Sequence, residues 1–302
     1  MSDYSVVYFN GIERGFSVPA VLADFTVGGH LITIRFYGLI IAIGYILALV
    51  AVTRLARRQR MDLDKFYDMV IWGTILGIIG ARLMYVVFTW DYYSQHLGDI
   101  WKIHDGGLAI YGGVLFGALG AFLVSLIRKT SILDALDLAG VGFLLGQAVG
   151  RWGNFFNQEA FGTNTDLPWG MMSDKIRLYI TTHQEFFAQH HVVVSPDRAV
   201  HPAFLYESLW CLLGFVLLYF MFKNHRKYRG QVILSYMAWY GLERLLVEGI
   251  RTDSLYFGSS AVRVSQVLSA VLAAAAVILL IRNFLKYKDA KPFGPYQYGT
   301  EE

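Results

Sequence analysis

The chain contains a series of apolar runs, each about as long as a lipid bilayer is thick. A helical membrane span needs about 20 consecutive, mainly apolar residues. Hydrophobic residues make up 55% of the 302 residues and charged residues only 16%, far from the composition of a soluble domain. The runs lie at 36–53, 66–88, 108–127, 133–150, 203–222, 231–250 and 262–281. They predict an all-α, polytopic integral membrane protein with about seven transmembrane helices.

Basic residues between these runs predict an orientation. Lys and Arg cluster at 54–65, 128–129, 223–229 and 282–291, after the odd-numbered runs, and are sparser after the even-numbered ones. Because loops rich in Lys and Arg stay in the cytoplasm, we expect an extracytoplasmic N-terminus and a cytoplasmic C-terminus. An odd number of spans agrees with this orientation.

The same pattern divides the chain into five segments. The longest polar stretch between runs is too short for a large independent domain, so we expect it to form a small extracytoplasmic cap. The predicted segments are an extracytoplasmic surface segment at 1–35, transmembrane helices 1–4 at 36–150, the cap at 151–201, helices 5–7 at 202–282 and a cytoplasmic tail at 283–302.

Glycines recur at four-residue spacing inside the runs. Small residues at this spacing let two helices approach closely in lipid. The pattern therefore predicts tight helix packing and needs no functional explanation. Examples are Gly73 with Gly77, Gly113 with Gly117, and Gly142 with Gly146 and Gly150.

Several ionisable residues interrupt the sixth run. Tyr240, Arg244, Glu248 and Arg251 are spaced by four, four and three residues, so a helix places them on one face. One arginine at the centre of a bilayer costs about 2.5 to 3.5 kcal/mol. These side chains must therefore face each other, a water-filled cavity or a charged substrate. The two open interpretations are a structural ion pair at the membrane edge and a site for an anionic group.

Two further charged residues lie within apolar runs and need partners. Glu207 is about one turn inside the fifth run, and Arg82 is inside the second. Arg82 could pair with Glu207, Glu243 or Glu248, and the sequence does not choose among them.

Four polar clusters map to the extracytoplasmic ends of the predicted spans. Their common side of the membrane favours a shared site over separate structural roles. The clusters are Arg35–Gly38, His104–Gly113, Gly150–Glu159 and His201–Glu207.

These clusters resemble the motifs of the bacterial prolipoprotein diacylglyceryl transferase family. The most specific match is GRWGNFFNQE at 150–159, which is similar to the family pattern G-R-x-G-N-F-x-N-x-E. The resemblance extends from about Tyr37 to Gln266. The other matching pieces, in the family's order, are Tyr37-Gly38, Asp105-Gly106-Gly107 with Gly112-Gly113, His201-Pro202 with Tyr206-Glu207, and Arg244 with Glu248 and Arg251.

The resemblance implies a specific reaction in the bacterial cell membrane. The family transfers the diacylglyceryl group of phosphatidylglycerol to the lipobox cysteine thiol of a prolipoprotein signal peptide. A thioether forms and glycerol phosphate is released, which is the first step of lipoprotein maturation. The partners would be phosphatidylglycerol, prolipoproteins and membrane lipids, with no nucleic acid. We expect no cofactor and no metal, since the chain has one cysteine and no HExxH or Cys/His ligand spacing.

This chemistry selects candidate residues. A departing phosphate gathers negative charge, which preorganised arginine forks stabilise. We therefore expect Arg151 and Arg244 to contact the phosphate, Glu248 to orient an arginine, and Asn154 to donate to the head group. The candidate catalytic residues are Arg151, Arg244, Tyr111 and Glu248, and the candidate substrate-binding residues are Arg151, Asn154, Tyr37, Arg244, Arg251, Glu159, His201 and Tyr240.

The general base stays unassigned. A cysteine thiol has a pKa near 8.5, so a base or a positive field should help to form the thiolate. Tyr111 lies where some members of the family have histidine, and a tyrosine with a pKa near 10 is a poor base at neutral pH. His104 and His201 are the nearby histidines in the sequence.

Three alternatives come from other classes of protein. The start Asp105-Gly106-Gly107 is similar to that of CDP-alcohol phosphotransferases, but Ile110 replaces the arginine which that motif requires. An intramembrane serine protease would need Gly-x-Ser-x-Gly, which is absent. A transporter or a lipid-binding membrane protein without transferase chemistry is the remaining alternative, although we find no inverted repeat.

Overall fold

The computed structural model describes residues 4–28, 30–103, 106–258, 260 and 262–293. They form two compact units. The first comprises the described residues of 1–52 and 139–292, and the second comprises those of 53–138 together with Phe293.

Helices make up most of the first unit. Glycines bring the helices over Phe36–Arg58 and Ile132–Asn157 close together. A Cβ on Gly44 would lie 3.1 Å from the Gly146 carbonyl oxygen, and one on Gly142 would lie 3.1 Å from the Val52 side chain. The predicted glycine packing is confirmed at these positions. The helices are α1 (Phe36–Arg58), α5 (Ile132–Asn157), α8 (Ala203–Phe220, continued by a π-turn over Met221–His225), α9 (Gln231–Val247) and α10 (Val264–Lys286).

The second unit is a helical hairpin with a short connection. A Cβ on Gly73 would lie 3.2 Å from the Gly117 carbonyl oxygen, and one on Gly77 would lie at the same distance from that of Gly113. The four-residue glycine spacing thus brings two backbones together, as predicted. The elements are α2 (Leu63–Phe88), α3 (Trp90–Tyr93), a 3₁₀ helix over Leu97–Trp101 and α4 (Ile110–Ile127).

Six of the described helices are long and apolar enough to cross a membrane. They correspond to the predicted runs except the sixth, and they confirm a mostly helical, multi-pass membrane protein. The helix in the sixth run, α9, has 17 residues. At about 1.5 Å per residue such a helix reaches only about 25 Å, less than the roughly 30 Å of a hydrocarbon core. A helix of this length is at the short end of the range of about 17 to 25 residues for membrane spans, so the seventh span stays a prediction.

The N-terminal segment contains strands, which the all-α prediction missed. Strands β1 and β2 form an antiparallel hairpin, and β1 also pairs antiparallel with β5. Strands β3 and β4 form a second antiparallel pair. The sequence does indicate the first hairpin, because Asn10-Gly11 lies between two runs of aromatic and β-branched residues, as in many two-residue hairpins. The strands are β1 (Tyr4–Phe9), β2 (Ile12–Pro19), β3 (Val21–Val27), β4 (His30–Arg35) and β5 (Met171–Ser173).

The N-terminal hairpin and the 151–201 region share one hydrophobic core. Strand β5 leads into two short helices, α6 (Asp174–Thr182) and α7 (Gln184–Gln189). The side chain of Ser173 caps α6 by accepting a hydrogen bond from the backbone N–H of Ile176. The buried members of the core are Val7, Val18, Phe161, Met171, Met172, Ile176, Ile180, Phe187, Val194, Val200 and Phe204.

Candidate active site: a buried arginine–carboxylate network

Three arginines of the first unit converge on the carboxylate of Glu207, which is 0% exposed. Arg151 Nη1 lies 2.9 Å from Glu207 Oε2. Arg244 Nη1 donates to Oε1 at 2.9 Å, and Arg251 Nη1 donates to the same oxygen at 3.2 Å. The sequence could not assign a partner to Glu207, and the structure gives it three.

Two further carboxylates complete the network. Glu248 accepts a hydrogen bond from Arg244 Nη2. Asp253 accepts two from Arg251, Nε to Oδ1 at 2.9 Å and Nη2 to Oδ2 at 2.8 Å. Glu248 thus pairs with an arginine, and its role in catalysis stays a prediction, while Asp253 was not predicted. Three guanidinium groups face three paired carboxylates, so the network is close to electroneutral.

Three elements and one loop bring these residues together. Arg151 is in the last two turns of α5, Glu207 is near the start of α8, and Arg244 is near the end of α9. Arg251 follows α9 in a loop that backbone hydrogen bonds hold. Thr163 N–H donates to the Ile250 carbonyl at 2.8 Å, and Thr252 N–H donates to the Phe161 carbonyl at 3.2 Å.

The arginines differ in how many donors they have left. A guanidinium carries five N–H groups. Arg251 uses all three of its nitrogens and Arg244 uses both Nη atoms, but Arg151 uses only Nη1 in the part of the chain that the structure describes. Arg151 is also the most accessible of the three side chains, at 17% exposure against 13% and 11%. An incoming anion would therefore find most donors at Arg151.

The GRWGNFFNQE segment at the end of α5 builds a second polar group beside Arg151. Asn154 Nδ2 donates to Glu159 Oε1 at 3.0 Å, and Asn157 Nδ2 donates to the same oxygen at 3.3 Å. Tyr37 interacts electrostatically with both Glu159 and Arg151. Its ring packs against Gly153, where a Cβ would lie 2.9 Å from Tyr37 Cδ2. The structure thus brings Tyr37, Asn154 and Glu159 near Arg151.

Tyr240 also belongs to this neighbourhood. It interacts electrostatically with Arg151 and Arg244, and its ring stacks on Tyr236 with centroids 5.7 Å apart. Its spacing of four residues from Arg244 predicts that Tyr240 lies on the same face of the helix, and the structure confirms this.

His201 lies in a separate polar group. Its Nδ1 is 3.0 Å from the Tyr206 hydroxyl, which accepts a hydrogen bond from Trp169 Nε1 at 2.8 Å. Burial lowers the pKa of His201 below its ordinary value of 6.5, so the ring is neutral at pH 7. Among the described contacts, none joins His201 to the arginines.

The second unit carries the remaining candidates. Tyr111 is in the first turn of α4 and is exposed. Its catalytic role stays a prediction. His104, a candidate base, and Asp105, part of the motif, lie outside the described residues.

Arg82 pairs with backbone carbonyl groups, and no glutamate contacts it in the described structure. Nε donates to the Ile100 carbonyl at 2.8 Å, Nη2 to that of Asp99 at 2.6 Å, and Nη1 to those of Gly106 and Gly107 at 2.8 and 3.0 Å. Both glycines have positive φ, of 91° and 73°, a conformation that glycine adopts without strain. Arg82 therefore holds the loop before α4, and its predicted pairing with a glutamate is replaced by this role.

Within the described residues, no group of three or more His, Cys, Asp or Glu side chains is placed to hold a metal ion. The carboxylates of the network are neutralised by guanidinium groups instead.

Comparison with known proteins connects this chain to a family. The family model for prolipoprotein diacylglyceryl transferase matches residues 25–282. The chain is 42% identical to the phosphatidylglycerol–prolipoprotein diacylglyceryl transferase of Finegoldia magna, over 83% of this chain and 92% of the relative. It is 42% identical to the protein of that name from Limosilactobacillus reuteri, with 87% and 92% covered. For Streptococcus pneumoniae the identity is 41%, with 90% and 95% covered.

Proposed function

The chain belongs to the prolipoprotein diacylglyceryl transferase family, and we propose that its arginine–carboxylate network binds the phosphodiester of phosphatidylglycerol. The enzyme transfers the diacylglyceryl group of this lipid to a prolipoprotein, the first step of lipoprotein maturation. The observation that carries the assignment to this site is the convergence of Arg151, Arg244 and Arg251 on one buried carboxylate.

In the reaction, the primary carbon of the diacylglyceryl group exchanges its bond to oxygen for a bond to sulfur. The lipobox thiol sulfur attacks the primary carbon of the diacylglyceryl group, and a carbon–sulfur bond forms. The bond from that carbon to the phosphate oxygen breaks, and its electron pair stays on the departing glycerol phosphate. The thiol proton ends on the departing phosphate or in solvent, so the products are a thioether and a glycerol phosphate with one more ionisable oxygen than the phosphodiester.

Arg151 and Arg244 stabilise the charge that develops on the departing phosphate. Guanidinium groups fixed in a site with little water need no reorganisation when the charge appears. Arg151 offers most of the free donors, and Arg244 is held by hydrogen bonds to Glu207 and Glu248. Arg251, fully bonded to Glu207 and Asp253, supports the other two by fixing Glu207.

The side chains at the end of α5 hold the rest of the head group. The Asn154 amide carries a second N–H besides the one given to Glu159. Tyr37, Asn154 and Glu159 together provide donors and acceptors for a glycerol hydroxyl. We also propose Tyr240, which interacts electrostatically with Arg151 and Arg244, and His201 as substrate-binding residues.

An apolar cavity next to the network offers room for an acyl chain. Its volume is about 240 Å³, and it is lined by side chains of α1, α5 and α8 that include Ile40, Leu145, Trp152 and Ser208. Trp152 follows Arg151, and Ser208 follows Glu207. A chain in this cavity would keep its ester end close to the arginines.

The orientation in the membrane is part of the proposal. The charge pattern of the loops favours an N-terminus outside the cell and a C-terminus in the cytoplasm. The 151–201 cap then covers the site on the extracytoplasmic side, where α9 enters with its charged end. A lipobox peptide would reach the site from the membrane plane.

The test uses purified enzyme, phosphatidylglycerol in detergent micelles and a fluorescent lipobox peptide. Mass spectrometry of the peptide should show a thioether-linked diacylglyceryl group. Arg151→Ala and Arg244→Ala should each lower turnover by at least about 100-fold, while Asp166→Ala, on an exposed side chain of the cap, should not. Near-normal turnover in both arginine variants would refute the phosphate site, and a wild-type enzyme without product would favour a transporter.

Tyr111 is tested by removing only its hydroxyl. We propose that the Tyr111 hydroxyl has a role in catalysis, so Tyr111→Phe should lower turnover by about 10-fold or more without changing the thermal unfolding midpoint. Unchanged kinetics would assign Tyr111 to packing.

A further inference from the structure

Glu243 lies beside the network without joining its hydrogen bonds. It precedes Arg244 in α9 and is 1% exposed. Neither oxygen of its carboxylate has a hydrogen-bond partner among the described residues. An ionised carboxylate that is buried without donors is costly, so the fold must either compensate its charge or keep it protonated.

Ionisable groups of α5, α8, α9 and the loop after α9 act on this carboxylate. The arginines favour its ionised form, and Glu207 favours its neutral form. The groups are Arg151 of α5, Glu207 and Cys211 of α8, Tyr236, Tyr240 and Arg244 of α9, and Arg251 of the following loop.

The charge balance of the network decides between the two forms. The three guanidinium groups are already matched by Glu207, Glu248 and Asp253. An ionised Glu243 adds one uncompensated negative charge. A bound phosphodiester adds another, and two like charges in a site of low dielectric constant repel strongly.

We propose that Glu243 is neutral at neutral pH and must be protonated for the phosphodiester of phosphatidylglycerol to bind. Head-group binding is thereby coupled to proton binding, and Glu243 is a positioning residue that acts through the charge of the arginines. The inference rests on the proposed phosphate site and adds that this site binds the lipid only when Glu243 is protonated. At alkaline pH the proton comes from solvent when the lipid binds and returns to solvent after glycerol phosphate has left.

Linkage gives the expected pH dependence. Where Glu243 is protonated in the free enzyme, lipid affinity does not change with pH. Where it is ionised, the apparent dissociation constant rises by up to about 10-fold per pH unit, because each binding event takes up one proton. The thiol of the peptide affects turnover but not this constant.

The first experiment measures KM for phosphatidylglycerol at saturating lipobox peptide, from about pH 6 to about pH 9. In the wild type, KM should be constant at the acidic end and rise by about 10-fold or more toward the alkaline end. Glu243→Gln, which is neutral at every pH and has nearly the same shape, should keep a low KM throughout. Asp166→Asn, a matched removal of an exposed carboxylate, should retain the wild-type rise.

A second measurement does not depend on a folded variant or on activity. Wild-type enzyme is titrated with phosphatidylglycerol micelles without peptide, in two buffers of different ionisation enthalpy. The difference in heat gives the number of protons taken up, which should grow from about zero to about one across the same pH range.

The outcomes separate this inference from the proposed function. A wild-type KM that stays flat, no proton uptake, or an equal rise of KM in Glu243→Gln would overturn the role of Glu243 while thioether formation continues. Absence of thioether product from the wild type at every pH would instead contradict the proposed function.

Discussion

Trp210 and Trp239 each donate the indole N–H to the backbone carbonyl of the other, at 3.1 Å in both directions. Their rings stack with centroids 4.6 Å apart. The pair joins α8 to α9 about one turn from Glu207 and Arg244. Since both indole donors lie in an apolar part of the unit, they must find acceptors there. This reciprocal contact fixes the register in which the carboxylate of one helix meets the guanidinium of the other.

Trp239→Phe should therefore destabilise the first unit. The variant loses one indole donor, leaves the Trp210 carbonyl without it, and removes part of a stacked ring. We expect a loss of about 2 to 4 kcal/mol, seen as a lower midpoint of thermal unfolding in detergent. Trp72→Phe, on an exposed tryptophan of α2, is the matched control. Equal unfolding midpoints for the two variants would mean that the contact between Trp210 and Trp239 does not stabilise the packing of α8 against α9.

Glu207→Gln should be more damaging than its small change in shape suggests. The variant leaves three arginines without their common counter-charge. Breaking a buried ion pair from one side costs about 3 to 5 kcal/mol, so we expect a large drop in the unfolding midpoint and a loss of transfer. Phosphatidylglycerol should restore part of the stability, because its phosphate can replace the missing charge. A variant that is as stable as the wild type without lipid would argue against Glu207 as the centre of the network.

The residues of this site that lie within helices could be predicted from the sequence, because a charged side chain inside a membrane has a high free-energy cost unless it is paired. Spacing alone placed Tyr240, Arg244 and Glu248 on one face, and the same cost required a partner for Glu207. Such reasoning works within a helix, where the periodicity is fixed. It could not show that Arg151, which is 56 positions before Glu207 in the sequence, would lie 2.9 Å from it.

Other features escaped prediction for identifiable reasons. Arg82 was expected to pair with a carboxylate, but main-chain carbonyl groups of the 3₁₀ helix and of the loop before α4 accept its hydrogen bonds instead. Asp253 was overlooked because it lies after the helix, where no periodicity relates it to Arg251. The N-terminal strands were not predicted because residues 1–35 contain no long apolar run, and only the short alternation around Asn10-Gly11 indicates a hairpin. Glu243 was named only as a possible partner of Arg82, since a sequence does not show which carboxylate lacks donors.

Arg151→Lys separates charge from geometry at the proposed phosphate site. Lysine keeps the positive charge but cannot present the planar fork that contacts two phosphate oxygens together. We expect kcat to fall by about 100-fold while the unfolding midpoint changes little. The measurement is transfer to the lipobox peptide with phosphatidylglycerol varied at fixed pH. If Arg151→Lys keeps full kcat, Arg151 supplies only charge and the bidentate contact is not needed.

Stability should depend on pH through His201. Burial lowers the pKa of this ring below its unfolded value of about 6.5, so the folded state prefers the neutral form. The unfolded chain binds the proton more readily, and stability therefore declines as the pH falls below about 6.5 toward the lower folded pKa. Above about pH 6.5 the neutral His201 contributes fully to the stability of the folded state. Thermal unfolding of the wild type from about pH 8 to about pH 5 should show this decline.

His201→Gln should reduce the pH dependence without removing contact with Tyr206. Glutamine cannot be protonated in this range, yet its amide can still reach the Tyr206 hydroxyl that His201 Nδ1 approaches at 3.0 Å. The exposed His183 provides the control, since His183→Gln should leave the wild-type decline intact. A decline of the same size in His201→Gln would place the responsible proton on another group, and the neutral ring of His201 would then have no part in the acid sensitivity of the protein.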